Sequence, residues 1–148
     1  MSRAEGPDQP SRLDLDKLVA LAWKSQEHAY APYSGFTVGV ALLAGRKIFR
    51  GANIENASYP ATICAERVAA SQAVASGVRE LSAMAVATSS PRAAAPCGVC
   101  RQFLSEFNPD MTIVAEGTSG ERKTWRLRDL LPDPFEATDL GGFRRGPR

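Results

Sequence analysis

Leu15, Leu18, Val19, Ala22 and Trp23 recur at helical spacing behind Ser11-Arg12-Leu13-Asp14, which reads as a capping box. A first amphipathic helix is therefore expected, running until Ala31-Pro32 stops the pattern. The period then shortens: β-rich runs at 36–43 and 48–53 flank Ala44-Gly45-Arg46-Lys47 and suit a hairpin. Helical periodicity returns over 64–76 and stops at Gly77, a good C-terminal glycine. A short apolar strand at 84–88, a Ser/Pro/Arg/Ala loop, a helix over 97–107 and a break at Asn108-Pro109 follow. Two last strands, 111–115 and 123–127, are separated by Glu116-Gly117-Thr118-Ser119-Gly120. This order, α-β-β-α-β-α-β-β with a short helical or irregular end, predicts an α/β fold with a mixed sheet of about five strands covered by helices.

With 148 residues and no internal repeat, the chain is expected to form one domain over 11–140, with a polar lead-in at 1–10 and an Arg-rich tail at 141–148. Its 44% hydrophobic and 23% charged residues exclude fibrous and wholly disordered classes. Lys and Arg total 18 against 16 Asp and Glu, and part of the excess sits in Arg144, Arg145 and Arg148, so no basic face is expected for nucleic acid. No apolar run is long enough for a bilayer, and the lead-in has no stretch of signal-peptide length, so a cytoplasmic protein without membrane association is expected. In that reducing compartment three cysteines point to thiol or metal chemistry and not to disulfides.

All three cysteines fall at expected helix starts. Cys64 opens one helix and is followed by Glu66; Cys97 opens the next, with Cys100 one turn later. Helix N-termini lower thiol pKa and favour the thiolate that a metal needs. Three thiolates suit zinc and leave a fourth tetrahedral position open for water. Two rivals remain at this point. Cys97-Gly98-Val99-Cys100 also fits a thioredoxin-like dithiol, and His28, the only histidine, offers a fourth ligand for a closed structural Cys₃His site. The combination of Cys64-Ala65-Glu66 with Pro96-Cys97-Gly98-Val99-Cys100 instead matches the three-cysteine form of the zinc deaminase signature, in which a non-ligand Glu moves protons.

From about Leu18 to Phe135 the sequence resembles the cytidine deaminase family in its small homotetrameric form. The motifs arrive in family order: Ala31-Pro32-Tyr33-Ser34-Gly35-Phe36, Asn53-Ile54-Glu55-Asn56-Ala57-Ser58-Tyr59-Pro60, Cys64-Ala65-Glu66-Arg67, Pro96-Cys97-Gly98-Val99-Cys100-Arg101-Gln102 and Leu130-Leu131-Pro132. The resemblance implies a three-layer α/β/α fold with zinc at the N-termini of two helices, one ion per chain on Cys64, Cys97 and Cys100. It implies hydrolytic deamination of cytidine and 2′-deoxycytidine to uridine and 2′-deoxyuridine, by zinc-activated water with Glu66 as proton shuttle, in pyrimidine salvage. By the same carry-over Phe36 lines the pyrimidine pocket, Asn53 and Glu55 bind the ribose 3′-hydroxyl, and the Ala65 N–H and Ala95 carbonyl contact the base. Arg67 would hydrogen-bond the zinc thiolates and drain their charge. Tyr33, Tyr59 and Phe135 match aromatics at subunit boundaries, where one chain completes its neighbour's pocket; Tyr59 and Phe135 are thereby placed at the substrate. Ser58 stands where some members carry a cysteine. A modified aminopyrimidine nucleoside is the alternative substrate, with Phe36, Asn53 and Glu55 arguing for plain cytidine.

Overall fold

The computed structural model describes residues 10–141; most of the lead-in 1–10 and of the tail 141–148 therefore lies outside the described residues. Helix α1 (Arg12–Gln26) starts as expected: the Ser11 hydroxyl accepts from the Asp14 N–H at 3.2 Å, and the Asp14 carboxylate accepts from the Ser11 N–H at 3.1 Å. It ends earlier than the Ala31-Pro32 stop. The Tyr30 N–H donates to the Asn53 carbonyl and the Tyr30 carbonyl accepts from the Glu55 N–H, so this stretch pairs with the segment after the second strand and leaves the helix. Strands β1 (Val38–Ala44) and β2 (Lys47–Ala52), helix α2 (Ala65–Ala75), strand β3 (Leu81–Thr88), helix α3 (Gly98–Ser105), strands β4 (Thr112–Glu116) and β5 (Arg122–Arg126) and the short α4 (Leu127–Leu130) complete the order. A 3-10 turn at Tyr59–Ala61 and another at Ala137–Leu140 had no periodic signal.

The sheet order is β2-β1-β3-β4-β5, with a single parallel pair, β3 and β4, bridged by α3 as parallel strands require. Alternation sorts the strands onto two faces. Ala41, Ala83, Ala85, Ala87 and Val114 meet Leu18, Val19 and Ala22 of α1 on one side. Val40, Leu42, Met84, Val86 and Ile113 meet the alanine face of α2 and Leu104 of α3 on the other. The result is the three-layer α/β/α arrangement. A network of Trp23 Nε1 to Glu116 at 2.7 Å, with Arg122 bridging Glu116 and Asp16, ties α1 to the far edge.

Two strand glycines set how closely the helices approach. A Cβ on Gly39 would lie 2.1 Å from the Ala22 carbonyl oxygen, and one on Gly51 would lie 2.4 Å from the Ala65 carbonyl oxygen and 2.8 Å from the Ala69 nitrogen. Both contacts are with helix backbone, which cannot swing aside. Gly51 thus fixes the height of the first turn of α2 above β2. Gly51→Ala is expected to destabilise the fold by about 1–3 kcal/mol, the usual cost of overpacking, as a lower denaturant midpoint at unchanged slope. A variant as stable as the parent would show that α2 yields freely.

Because Val38 pairs with Thr88 and Gly39 with Ala52, the start of β1 and the ends of β2 and β3 share one edge of the sheet. The chain leaves that edge from β2 towards α2 and from β3 towards α3. Two helix N-termini are thereby brought over the carboxyl ends of strands, where open α/β sheets place ligands.

Candidate active site and metal centre

Cys64 and Cys97 are the N-caps of α2 and α3, extended residues whose side chains make no capping hydrogen bond, and Cys100 is buried one turn into α3. The three sulfurs lie within 4.8 Å of one another, with Cys64 and Cys97 at 3.8 Å. Zinc–sulfur bonds of about 2.3 Å at tetrahedral angles set sulfurs about 3.8 Å apart, so the triad has the dimensions of a zinc site. A hydrogen bond from Cys100, reinforced by Arg67, pulls the Cys64 thiol down to about 5, while that same bond and burial push Cys100 upward. Arg67 Nη2 donates to the Thr62 carbonyl at 3.3 Å and lies 3.9 Å from the Cys64 sulfur, a cation beside the triad. Among the described residues His28 is not part of this cluster; it lies on a separate hollow with Ser25 and Arg50, which removes the closed Cys₃His site. The dithiol reading leaves Cys64 without a purpose, whereas the fold delivers it to the other two.

Beside the triad opens a cavity of about 360 Å³, within the range of small-molecule sites. Phe36, Asn53, Glu55, Cys64, Glu66, Ala95 and Cys97 all lie on its wall. Glu66, in the first turn of α2, is only 6% exposed. Burial pushes its carboxyl up to about 7, helped by the charge on Cys64. Among the described residues it is the carboxylate that lies both against the Cys100 sulfur and on the cavity wall.

Asn53 and Glu55 also do structural work, in keeping with their reading from the residues alone as loop-capping polar groups after a strand. The Asn53 Oδ1 accepts from the Val38 N–H and its Nδ2 donates to the Phe36 carbonyl, both at 2.8 Å, so this amide clips the start of β1 and fixes Phe36 at the cavity. The Glu55 carboxylate accepts from the N–H groups of Tyr33 (2.8 Å) and Ser34 (3.2 Å) and from the Ser34 hydroxyl, whose bond holds its pKa below the usual range. An amide offers two acceptor sites and two hydrogens and a carboxylate about four acceptor sites, so each keeps capacity for a ligand.

Several expected side chains are not on this wall. Ala65 is wholly buried at the start of α2, with Glu66 next to it at the cavity. Tyr33 and Tyr59 form an edge-to-face pair, centroids 6.1 Å apart, over an adjoining hollow shared with Ser34 and Glu55. Phe135 sits in a different hollow near the end of α3, away from its own chain's cavity. Ser34, Thr62 and Thr88 line the cavity and were not singled out. Ser34 is within a quoted motif, whereas Thr88 merely ends a strand.

The family model for the cytidine and deoxycytidylate deaminase zinc-binding region matches residues 13–116. A cytidine deaminase of Sporosarcina psychrophila is 43% identical over 130 residues, 86% of this chain and 96% of the relative. A crystal structure of cytidine deaminase from Burkholderia pseudomallei superposes with a TM-score of 0.78 at 43% identity, covering 81% of this chain and 98% of that one. The cytidine deaminase structure from Mycobacterium tuberculosis gives 0.73 at 35% identity, covering 83% and 98%. A family match over 13–116 and relatives 43% identical along nearly their whole length show that the chain belongs to the cytidine deaminase family.

Proposed function

We propose that the protein removes the exocyclic amine of cytidine and 2′-deoxycytidine by hydrolysis, giving uridine or 2′-deoxyuridine and ammonia. The observation that carries this reading is the placement of one buried carboxylate, Glu66, between a zinc-sized thiol triad and a nucleoside-sized cavity. Cys64, Cys97 and Cys100 hold zinc, one ion per chain. When bound, zinc supplies the Lewis acidity that makes water a nucleophile at neutral pH. Glu66 takes a proton from the attacking water, gives it to N3 of the pyrimidine, and later delivers a proton to the leaving amine at C4. Its burial keeps those protons from exchanging with bulk water. Arg67 moderates the negative charge of the ligands.

Phe36 supplies the face of the pyrimidine pocket, and the Ala65 N–H and Ala95 carbonyl read the base edge. The remaining acceptor on Glu55 and the free valences of Asn53 bind the ribose 3′-hydroxyl, a group that both cytidine and deoxycytidine present. Tyr33, Tyr59 and Phe135 lie between subunits of a homotetramer. Their exposures of 51%, 71% and 59% are large for aromatic rings and support that role. A set of thiol ligands suits the reducing cytoplasm, and no helix among the described residues is long and apolar enough to cross a membrane.

The cavity wall carries two carboxylates, Glu55 and Glu66, and no Lys or Arg among the described residues. A 5′-phosphate brings a charge of about −1.5 to −2 at pH 7 with no cation on this wall to pair with. The kcat/KM for cytidine 5′-monophosphate is accordingly expected to be at least about a hundredfold below that for cytidine, the scale of leaving a charge unpaired in a binding site. Comparable turnover of the two would contradict this view of the cavity.

Conversion of cytidine by the purified protein, followed in the ultraviolet and by released ammonia with zinc measured on the same sample, tests the whole reading. Turnover with about one zinc per chain is expected. Zinc without turnover points to another amino-substituted pyrimidine nucleoside, and neither zinc nor turnover returns Cys97 and Cys100 to thiol chemistry.

A further inference from the structure

Two consecutive residues of α3 reach out of the helix to the C-terminal segment. Arg101 donates from Nε to the carbonyl of Pro96, the residue before Cys97, at 2.7 Å and from Nη1 to the carbonyl of Leu130 at 2.9 Å. Gln102 engages one residue twice: its Nε2 donates to the Phe135 carbonyl at 2.9 Å, and its Oε1 accepts from the Phe135 N–H at 3.0 Å. A side-chain amide that satisfies both backbone groups of one residue fixes that residue much as a ladder partner fixes a strand. Phe135 needs such a device, because it lies between α4 and the last 3-10 turn, outside any helix or strand.

The ring so held is 59% exposed and does not line its own chain's substrate cavity. Fixing a backbone firmly while leaving a large apolar ring in water is unfavourable for an isolated chain, and it is repaid where another surface receives the ring. We infer that Gln102 is a positioning residue, whose paired hydrogen bonds to Phe135 hold the ring that a second copy of this chain receives beside its substrate cavity. The turn that carries Cys100 in one subunit thereby sets substrate affinity in the next. This inference rests on the role proposed above for Phe135.

The test compares Gln102→Met, Phe135→Ala and the double variant as assembled, zinc-loaded enzymes. Met keeps the volume of Gln and removes both hydrogen bonds. Gln102→Met is expected to raise KM for cytidine about tenfold, the scale of losing two ordinary hydrogen bonds, with kcat within about twofold and zinc per chain unchanged. Phe135→Ala should raise KM at least as far, and the double variant should match Phe135→Ala alone, since the clamp acts only through that ring. Wild-type KM in Gln102→Met overturns the inference, as does a double variant in which the two effects multiply. A KM rise matched by an equal fall in kcat or by loss of zinc overturns it too, because that is disorder of α3. If Phe135→Ala itself keeps the wild-type KM, the proposed role of Phe135 falls first and the inference with it, a result distinct from failure of the clamp alone.

Discussion

Glu66→Gln is expected to lose about a thousandfold to ten-thousandfold in kcat, the upper range for a positioned acid–base group, while keeping its zinc. That loss corresponds to about 4–5 kcal/mol of transition-state stabilisation, more than any single binding contact in the cavity supplies. Gln fills the same volume and can still donate and accept hydrogen bonds, but it cannot carry a proton from water to N3 and onward to the amine. The sulfurs of Cys64, Cys97 and Cys100 form the triad without Glu66, so metal content should stay at the wild-type level. Burial already pushes the Glu66 carboxyl up to about 7, which means that its ionised form is held at a cost. A neutral isostere removes that cost, and the thermal midpoint should not fall. Loss of activity with an intact fold and full zinc is therefore the signature. A variant within tenfold of wild type, or one that has lost its metal, would remove Glu66 from the proton-transfer role.

The elements whose identity was legible in the sequence are those with local causes. Ser11 and Asp14 cap α1 within four residues of one another, and Gly77 follows the end of α2 with a positive φ of 87°. Strands β1 and β4 are continuous apolar runs because helices cover both faces of the sheet. The position of Cys64 and Cys97 at helix starts was legible for the same reason, since each follows a segment that cannot continue a helix inward. Where α1 ends was not legible, because the competitor for Tyr30 is Asn53 and Glu55, more than twenty residues away.

At the site the chemistry-bearing residues could be read and their supports could not. Periodicity has nothing to say about Asn53 clipping the backbone on both sides of Thr37, or about Ser34 and Tyr33 occupying most of the Glu55 carboxylate. Gly39 and Gly51 look like weak points in strands until the helix backbones above them are in place. Gln102 closes a quoted motif without a role of its own there, and only the return of the chain to Phe135 gives it a task. The missing information is in each case a contact distant in sequence, which a local pattern does not encode.

Cys97→Ala is expected to lose both zinc and turnover, and to lose stability with them. Removing this sulfur leaves two ligands, too few for the site, and one of the remaining pair, Cys100, is fully buried. Metal bound only by the folded chain stabilises it by about 3–4 kcal/mol at free zinc a hundred to a thousand times the dissociation constant. For a domain of this size that corresponds to a fall in thermal midpoint on the order of 10 °C. Chelation of zinc from the wild-type protein should reproduce the loss of activity and of stability, and added zinc should restore both, since the thiol triad and the Glu66 cavity are built by the fold itself. In Cys97→Ala added zinc should restore neither. The comparison separates a metal that the chemistry requires from one that only staples the helices: a chelated protein that kept its turnover while losing stability would make the triad structural, and one that lost neither would return the cysteines to thiol chemistry.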